Sequence, residues 1–175
     1  PYNLLKDLSK MGVGIPLTGV GLVGDDSDGS HILEDCRKSG IDCELIKVTQ
    51  EAPTSYTDVM SVKSTGRRTF FHQRGANALL KESHFDLSKC NAWLLHLAYL
   101  NLLDSLEIID DCGYTGATHV LKRARELGMK TSVDLVSVES DMFNRVIKPS
   151  LPFVDYFLLN EIEAERIADI KNDDD

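Results

Sequence analysis

The chain has 175 residues, of which 42% are hydrophobic and 7% aromatic, enough for one domain with a buried core. Its 28 acidic and 19 basic residues give a net charge of -9, which argues against nucleic-acid binding through a broad basic surface. No apolar run reaches the roughly 18 to 20 residues of a membrane helix, and the N-terminus lacks the pattern of a signal peptide. We therefore expect no membrane contact and a cytoplasmic protein.

The cysteines indicate reduced, mostly structural thiols. They form no Cys-x-x-Cys pair and show no matching histidine spacing, which argues against a zinc site and against a disulfide framework. The four positions are Cys36, Cys43, Cys90 and Cys112.

The first elements are a helix, a strand and a second helix. Leucines and a methionine at helical spacing follow Asn3, and Gly12 ends this helix. Residues 16–23 predict a strand, and the next helix ends at Gly40. Its N-cap is one of three neighbouring polar residues. The candidates are Asp26, Ser27 and Asp28.

A literal G-x-G-x-x-G occurs at Gly19, Gly21 and Gly24, with Glu44 about 20 residues further on. In a dinucleotide-binding fingerprint the first glycine follows the strand and the third opens the helix. Here the glycines lie inside the apolar run. We therefore set nicotinamide-cofactor binding aside.

The middle of the chain predicts a hairpin that leaves the main sheet. Residues 43–48 form a short strand, after which residues 54–63 and 68–73 form two strands joined by a turn. Such an excursion, over residues 43–75, is either a lid or dimer face or a solvated edge hairpin. A short helix begins at residues 78–80.

The remaining elements alternate between strands and helices. We predict strands at 92–97 and 130–135, helices at 115–127 and 141–147, and a parallel sheet with helices on both faces. A strand at 157–159, buried on both faces, then leads into a helix that begins after Asn160.

Polar residues follow several of these strands, where parallel strands share one sheet edge. They are Asp134, Asn160 and either His96 or Tyr99. His96 alone is more simply a satisfied core histidine. Asn160 with the acidic residues after it is equally well a helix cap, whose charges the helix dipole favours.

Four segments together resemble the ribokinase-like carbohydrate kinases of the PfkB family. They are Asn3 at the first helix, Val23 to Gly29, Gly75-Ala76-Asn77 after the hairpin, and Val154-Asp155 followed by Asn160 to Ala164. The resemblance implies a ribokinase-like three-layer α/β sandwich with a mostly parallel central sheet and a small β-hairpin lid. Since no strand precedes the first helix and none follows the last, we expect residues 1–175 to be a partial domain, truncated at both ends.

The resemblance implies ATP-dependent phosphorylation of a hydroxymethyl group on a sugar, sugar acid or nucleoside, with Mg²⁺. It implies a substrate-binding side and a phosphate-organising side. The first contains Asn3, Thr54 or Ser55, Gly75, Ala76 and Asn77. The second contains Asn160, Glu163 and Asp134, with Glu163 acting on the metal through water. A homodimer through the lid is implied as well.

The chain departs from this family in one important respect. The family's catalytic base is an Asp in a Gly-Ala-Gly-Asp-type segment whose amides form an anion hole, and no such segment occurs here. We expect the chain to be inactive alone. The alternative is a noncatalytic sugar-binding or regulatory module on the same scaffold. Arg68, His72 and Arg74 could favour an acidic or phosphorylated sugar, or could simply be solvated.

Overall fold

The computed structural model describes residues 2–12, 14–136 and 143–170. The elements in order are α1 (Tyr2–Lys10), β1 (Thr18–Gly24), α2 (Ser27–Lys38), β2 (Asp42–Thr49), β3 (Tyr56–Ser61), β4 (Arg68–Gln73), β5 (Leu94–Leu100), α3 (Gly116–Glu126), β6 (Lys130–Leu135), α4 (Phe143–Ile147), β7 (Tyr156–Leu158) and α5 (Glu161–Ala168). Short 3₁₀ turns connect several of them, among them Gly75–Leu79 and Asp104–Leu106.

Most elements lie where the pattern predicts them, with ends shifted by a few residues. Asp26 is the N-cap of α2, and its side chain accepts a hydrogen bond from the Gly29 amide at 2.8 Å. The helix predicted at 78–80 is instead the 3₁₀ turn Gly75–Leu79. The helix predicted at 141–147 begins at Phe143, and its first two predicted residues lie outside the described part of the chain.

The strands are mostly parallel, as predicted, but they do not form one continuous sheet in the described residues. β1 pairs with β2, and β5, β6 and β7 form a separate three-stranded sheet, both with parallel pairing. β3 and β4 form the predicted antiparallel hairpin, and their principal contacts are with each other.

Two packing layers flank β1. Leu22, 6% exposed, joins the main core, which α3, α4, β5, β6 and the Asp104–Leu106 turn build. The most buried side chains of this core, at most 1% exposed, include Leu100, Leu106, Leu121, Val133 and Ile147. A side-chain position at Gly19 would instead meet Leu5 of α1 and Ile46 of β2. α1 is also tied to α2, because Tyr2 and Lys6 both donate to the Asp35 carboxylate.

The strand predicted at 157–159 is observed as β7, and its predicted burial on both faces is wrong. Tyr156 is 54% exposed and Leu158 is 51% exposed, while Phe157 alone packs against the core. Neighbouring residues in a strand point to opposite faces, so only the Phe157 face of β7 meets the core. β7 has the half-buried pattern of an outer strand.

Candidate active site

The start of α5 is a helix cap formed by Asn160 and Glu163. The Asn160 side chain accepts a hydrogen bond from the Glu163 amide at 2.9 Å, and the Glu163 carboxylate accepts one from the Asn160 amide at 3.0 Å. This reciprocal capping box satisfies two of the amides that a helix start leaves unpaired. The cap is therefore real, and the same geometry fixes Glu163, which is only 3% exposed.

Asp134 lies on the adjacent strand β6, opposite Leu158 of β7. Burial raises its pKa above the ordinary aspartate value, and the nearby charge of Glu163 adds to the rise. The Asp134 carboxylate also accepts a hydrogen bond from the Leu135 amide at 2.9 Å. Asp134 and Glu163 are therefore close enough to interact electrostatically.

His96 lies on the same face of this sheet as Asp134. It is paired in register with Ser132, and its Nδ1 is hydrogen bonded to the Ser132 hydroxyl at 3.1 Å. Burial lowers its pKa, and the Asp134 charge offsets part of that decrease. His96 is therefore a partly buried, hydrogen-bonded histidine near Asp134, in line with its simpler interpretation. Tyr99 is 40% exposed.

Thr54 is hydrogen bonded to Gly24 and Asp26 at the end of β1, an arrangement that we call the Thr54 clasp, and its hydroxyl is not free. Its Oγ1 accepts from the Gly24 amide at 2.9 Å and donates to the Asp26 carboxylate at 2.7 Å, while its amide donates to Asp26 at 2.7 Å. The amide of Thr54 chiefly holds the pKa of Asp26 below its usual value. The role of Asp26 beyond helix capping could not be found from sequence, because its partner lies 28 residues away.

The Gly75-Ala76-Asn77 segment packs against the same clasp. The Ala76 amide donates to the Pro53 carbonyl at 2.8 Å, and Ala76 is fully buried. Gly75 has φ +48°, and a Cβ there would collide with the Pro53 carbonyl oxygen. Only glycine tolerates both the conformation and the close approach. Asn77 is half-buried at the next position.

Asn3 lies in the first turn of α1 and is exposed. Thr54, Gly75, Ala76 and Asn77 therefore form one local group, whereas no hydrogen bond or ion pair among the described residues joins Asn3 to them. The carboxylate pair on the other sheet forms a second group.

The basic side chains near the hairpin already have contacts within the chain. Arg74 forms an ion pair with Asp104, and the Arg68 guanidinium lies 5.5 Å from the centre of the Phe70 ring. His72 Nδ1 is hydrogen bonded to the Thr57 hydroxyl at 2.6 Å. These contacts give little support to an acidic or phosphorylated sugar.

Two further findings concern metals and membranes. Across residues 2–12, 14–136 and 143–170, no group of three histidine, cysteine or acidic side chains is arranged to hold a metal ion. No helix among these residues is long and apolar enough to cross a membrane.

Comparison with known proteins finds a ribokinase among the relatives of this chain. The chain is 28% identical over 152 residues to a ribokinase from Dictyostelium discoideum, covering 86% of this chain and 44% of that protein. It therefore spans less than half the length of this curated relative.

Solved structures share the fold. A ribokinase from Giardia lamblia matches with a TM-score of 0.74 at 24% identity, covering 99% of this chain and 51% of that one. A fructokinase from Xylella fastidiosa with bound ATP matches with a TM-score of 0.73 at 23% identity, covering 97% and 53%. An adenosine kinase from Anopheles gambiae matches with a TM-score of 0.76 at 18% identity, covering 96% and 49%.

These likenesses confirm the ribokinase-like α/β fold predicted from the sequence. The family model for the pfkB family carbohydrate kinases matches residues 2–175, nearly the whole chain. The chain therefore belongs to the pfkB family of carbohydrate kinases.

Proposed function

We propose that the full-length protein transfers the γ-phosphoryl group of ATP to a hydroxymethyl group of a sugar, a sugar acid or a nucleoside. The family match over residues 2–175 carries this proposal. The likeness to an ATP-bound fructokinase supports ATP as the donor, and the likeness to an adenosine kinase keeps nucleosides among the acceptors.

The two groups of residues have the character that this reaction requires. Phosphoryl transfer depends on positioning and on electrostatic stabilisation more than on covalent chemistry by the protein. We assign Asn3, Thr54, Gly75, Ala76 and Asn77 to the acceptor side. We assign Asp134, Asn160 and Glu163 to the phosphate side. On the acceptor side the buried Thr54 and Ala76 would shape the pocket through their backbone, leaving Asn77 as the side chain best placed to contact an acceptor.

The phosphate side fits Mg²⁺ held through water. Asp134 and Glu163 are neighbouring, partly or fully buried carboxylates, and burial chiefly raises the pKa of Asp134, so a nearby divalent cation would stabilise both charges. Mg²⁺ prefers oxygen ligands, keeps several waters and binds proteins through one or two carboxylates. One Glu163 oxygen already accepts the Asn160 amide, which favours an indirect role. When bound, Mg²⁺ would neutralise charge on the phosphates.

The catalytic base is not assigned to any residue of this chain. The sequence has no Gly-Ala-Gly-Asp segment, so we propose that residues 1–175 do not catalyse the reaction by themselves. Because that segment is missing, the alternative function is a noncatalytic sugar-binding or regulatory module on the same scaffold. Binding of an acceptor without ADP release by the full-length protein would favour that alternative.

We further propose a cytoplasmic homodimer that forms through the hairpin, with β3–β4 as a lid. Large apolar side chains on both hairpin faces are about half exposed or more, which is unusual unless another surface covers them. They are Tyr56, Val59, Met60, Phe70 and Phe71. Sedimentation of the full-length protein with Met60→Lys and Phe71→Lys would show a monomer if this is correct.

A coupled ADP-release assay on the full-length protein tests the kinase function. It should be run over hexoses, pentoses, sugar acids and nucleosides, with Mg²⁺ and then with EDTA. We expect Mg²⁺-dependent release with one acceptor class. No acceptor-dependent release across the panel would contradict the proposal.

A further inference from the structure

Glu107 lies in a polar network that the proposed reaction does not use. It follows the 3₁₀ turn Asp104–Leu106 and is half-buried. Its Oε1 accepts hydrogen bonds from the amides of Asn101 at 2.5 Å and Leu103 at 3.1 Å. One carboxylate oxygen therefore holds the segment that leaves the carboxyl end of β5.

This segment is fixed to the phosphate side of the candidate active site. The Asn101 side chain donates to the Val136 carbonyl at 3.3 Å, and the Val136 amide donates to the Leu100 carbonyl at 3.3 Å. Val136 comes two residues after Asp134. Asn101 is 8% exposed and has φ +78°, a conformation that non-glycine residues seldom adopt without surrounding support.

The same network reaches the acceptor side. Arg74, directly before Gly75, forms an ion pair with Asp104, and the Gly75–Leu79 turn packs against the Asp104–Leu106 turn. Burial raises the pKa of Glu107, while its two amide donors and then the charge of Arg74 offset part of that rise. Arg74 is therefore close enough to act on both acidic side chains.

We propose that Glu107 is a positioning residue that holds the Gly75–Asn77 side and the Asp134 side of the active site in register. It does so through the Asn101 and Leu103 amides toward β6, and through the preceding Asp104–Leu106 turn, which packs against the Gly75–Leu79 turn, toward the hairpin. This inference rests on the proposed kinase function. Glu107 touches no reacting atom, and its effect is exerted through the two groups that it joins.

Hydrogen exchange on the full-length protein tests this coupling without any need for activity. Glu107→Ala is compared with Glu126→Ala, which removes an exposed glutamate from α3. We expect faster amide exchange at residues 101–103 and also at residues 74–79 in Glu107→Ala, and no change in Glu126→Ala. Faster exchange confined to residues 101–107, or no difference at all, would overturn the proposal.

Steady-state kinetics supply the functional readout. We expect Glu107→Ala to raise the acceptor KM about tenfold, because small displacements of positioned groups are costly. Glu107→Gln keeps an oxygen that accepts both amides and should restore most of the affinity. A reduced active fraction with an unchanged acceptor KM would indicate a merely structural residue and would overturn the proposal.

A fallback variant covers the case in which Glu107→Ala does not fold. Asp104→Asn alters a side chain that is 47% exposed and removes the partner of Arg74. Faster exchange at both 74–79 and 101–103 is expected, and wild-type exchange at both would contradict the coupling. If the wild-type protein phosphorylates no acceptor, the kinase function fails, while the exchange comparison still decides the role of Glu107.

Discussion

The two proposed sides of the candidate active site, the acceptor side and the phosphate side, are built from different chemistry. The acceptor side, around Thr54 and Gly75, consists of backbone groups in close contact, with the Thr54 hydroxyl bonded to Gly24 and Asp26. The phosphate side consists of two carboxylates at one sheet edge, Asp134 and Glu163, with Glu163 fixed by a capping box. One side is defined by shape and the other by charge.

This difference predicts different responses to mutation. Substitutions of Thr54 and Gly75 on the acceptor side should first cost folding stability, because a buried backbone contact or a saturated hydroxyl is disturbed. Substitutions of the carboxylates should first cost catalysis. Burial disfavours the charge of Asp134 and raises its pKa, and acidic groups with a perturbed pKa cluster at functional sites. Stability and kinetics together can therefore separate the two sides.

The largest expected stability loss is at Gly75. Gly75→Ala combines a positive φ with a collision between the new Cβ and the Pro53 carbonyl oxygen. We expect a loss of about 3 kcal/mol in the free energy of unfolding, measured by urea denaturation of the full-length protein.

Gly66→Ala is the matched control for this substitution. Gly66 has φ +69°, but a Cβ there meets nothing within 4 Å. The control should lose about 1 kcal/mol, from backbone conformation alone. Equal losses for the two variants would mean that the contact with Pro53 does not constrain the acceptor side.

A smaller loss is expected at Thr54. Thr54→Val keeps the shape but leaves the Gly24 amide without its partner and removes one of the two hydrogen bonds to Asp26 Oδ1, which still accepts from the Gly29 amide. Leaving a buried donor unsatisfied costs about 1 to 3 kcal/mol, so we expect about 2 kcal/mol by urea denaturation. Thr69→Val, on the exposed hairpin, should change the unfolding free energy by less than about 0.5 kcal/mol. A silent Thr54→Val would show that the clasp does not stabilise the fold.

The smallest effect is expected at Asp155, at the opposite end of β7 from the phosphate side. Its carboxylate binds Lys130 at 2.8 Å and accepts a hydrogen bond from the Thr131 amide at 3.0 Å. These contacts, chiefly the one with Lys130, lower the pKa of Asp155 to about 2. A depressed folded-state pKa stabilises the protein above the unfolded-state pKa, and this contribution disappears as the pH falls toward 2.

Thermal unfolding between pH 2 and pH 5 tests this assignment. Asp155→Asn should lower Tm at pH 5 and flatten its dependence on pH, with unchanged kcat/KM at neutral pH. A loss of activity from Asp155→Asn would show that this end of the sheet contributes to the site, and would weaken the distinction between structural and functional carboxylates.

Local patterns predicted most of the elements because their signals are short in sequence. The spacing of apolar residues located α3 and β6. The polar residues before Gly29 limited the N-cap of α2 to Asp26, Ser27 or Asp28, of which Asp26 is observed. The prediction that β7 is buried on both faces was wrong, because an apolar run does not show how many faces of a strand are covered. Tyr156 and Leu158 are apolar and half exposed.

The contacts that join distant segments could not be predicted in the same way. The Asp26–Thr54 clasp and the Arg74–Asp104 ion pair each join residues about 30 positions apart, and only folding brings them together. Asn160 and Glu163 were recognisable because a capping box is local. Glu107 gave no sequence signal, since its partners are backbone amides.

The most direct test measures one variant from each side in the full-length protein. Asn77→Ala and Glu163→Ala are compared in a titration of acceptor and a titration of Mg²⁺, with Glu165→Ala as the control on α5. We predict that Asn77→Ala raises the acceptor KM and leaves the Mg²⁺ dependence unchanged. Glu163→Ala should shift the Mg²⁺ dependence and lower kcat/KM by about tenfold to a hundredfold. Wild-type kinetics for Glu163→Ala, or a shifted Mg²⁺ dependence in both variants, would contradict the two-sided site.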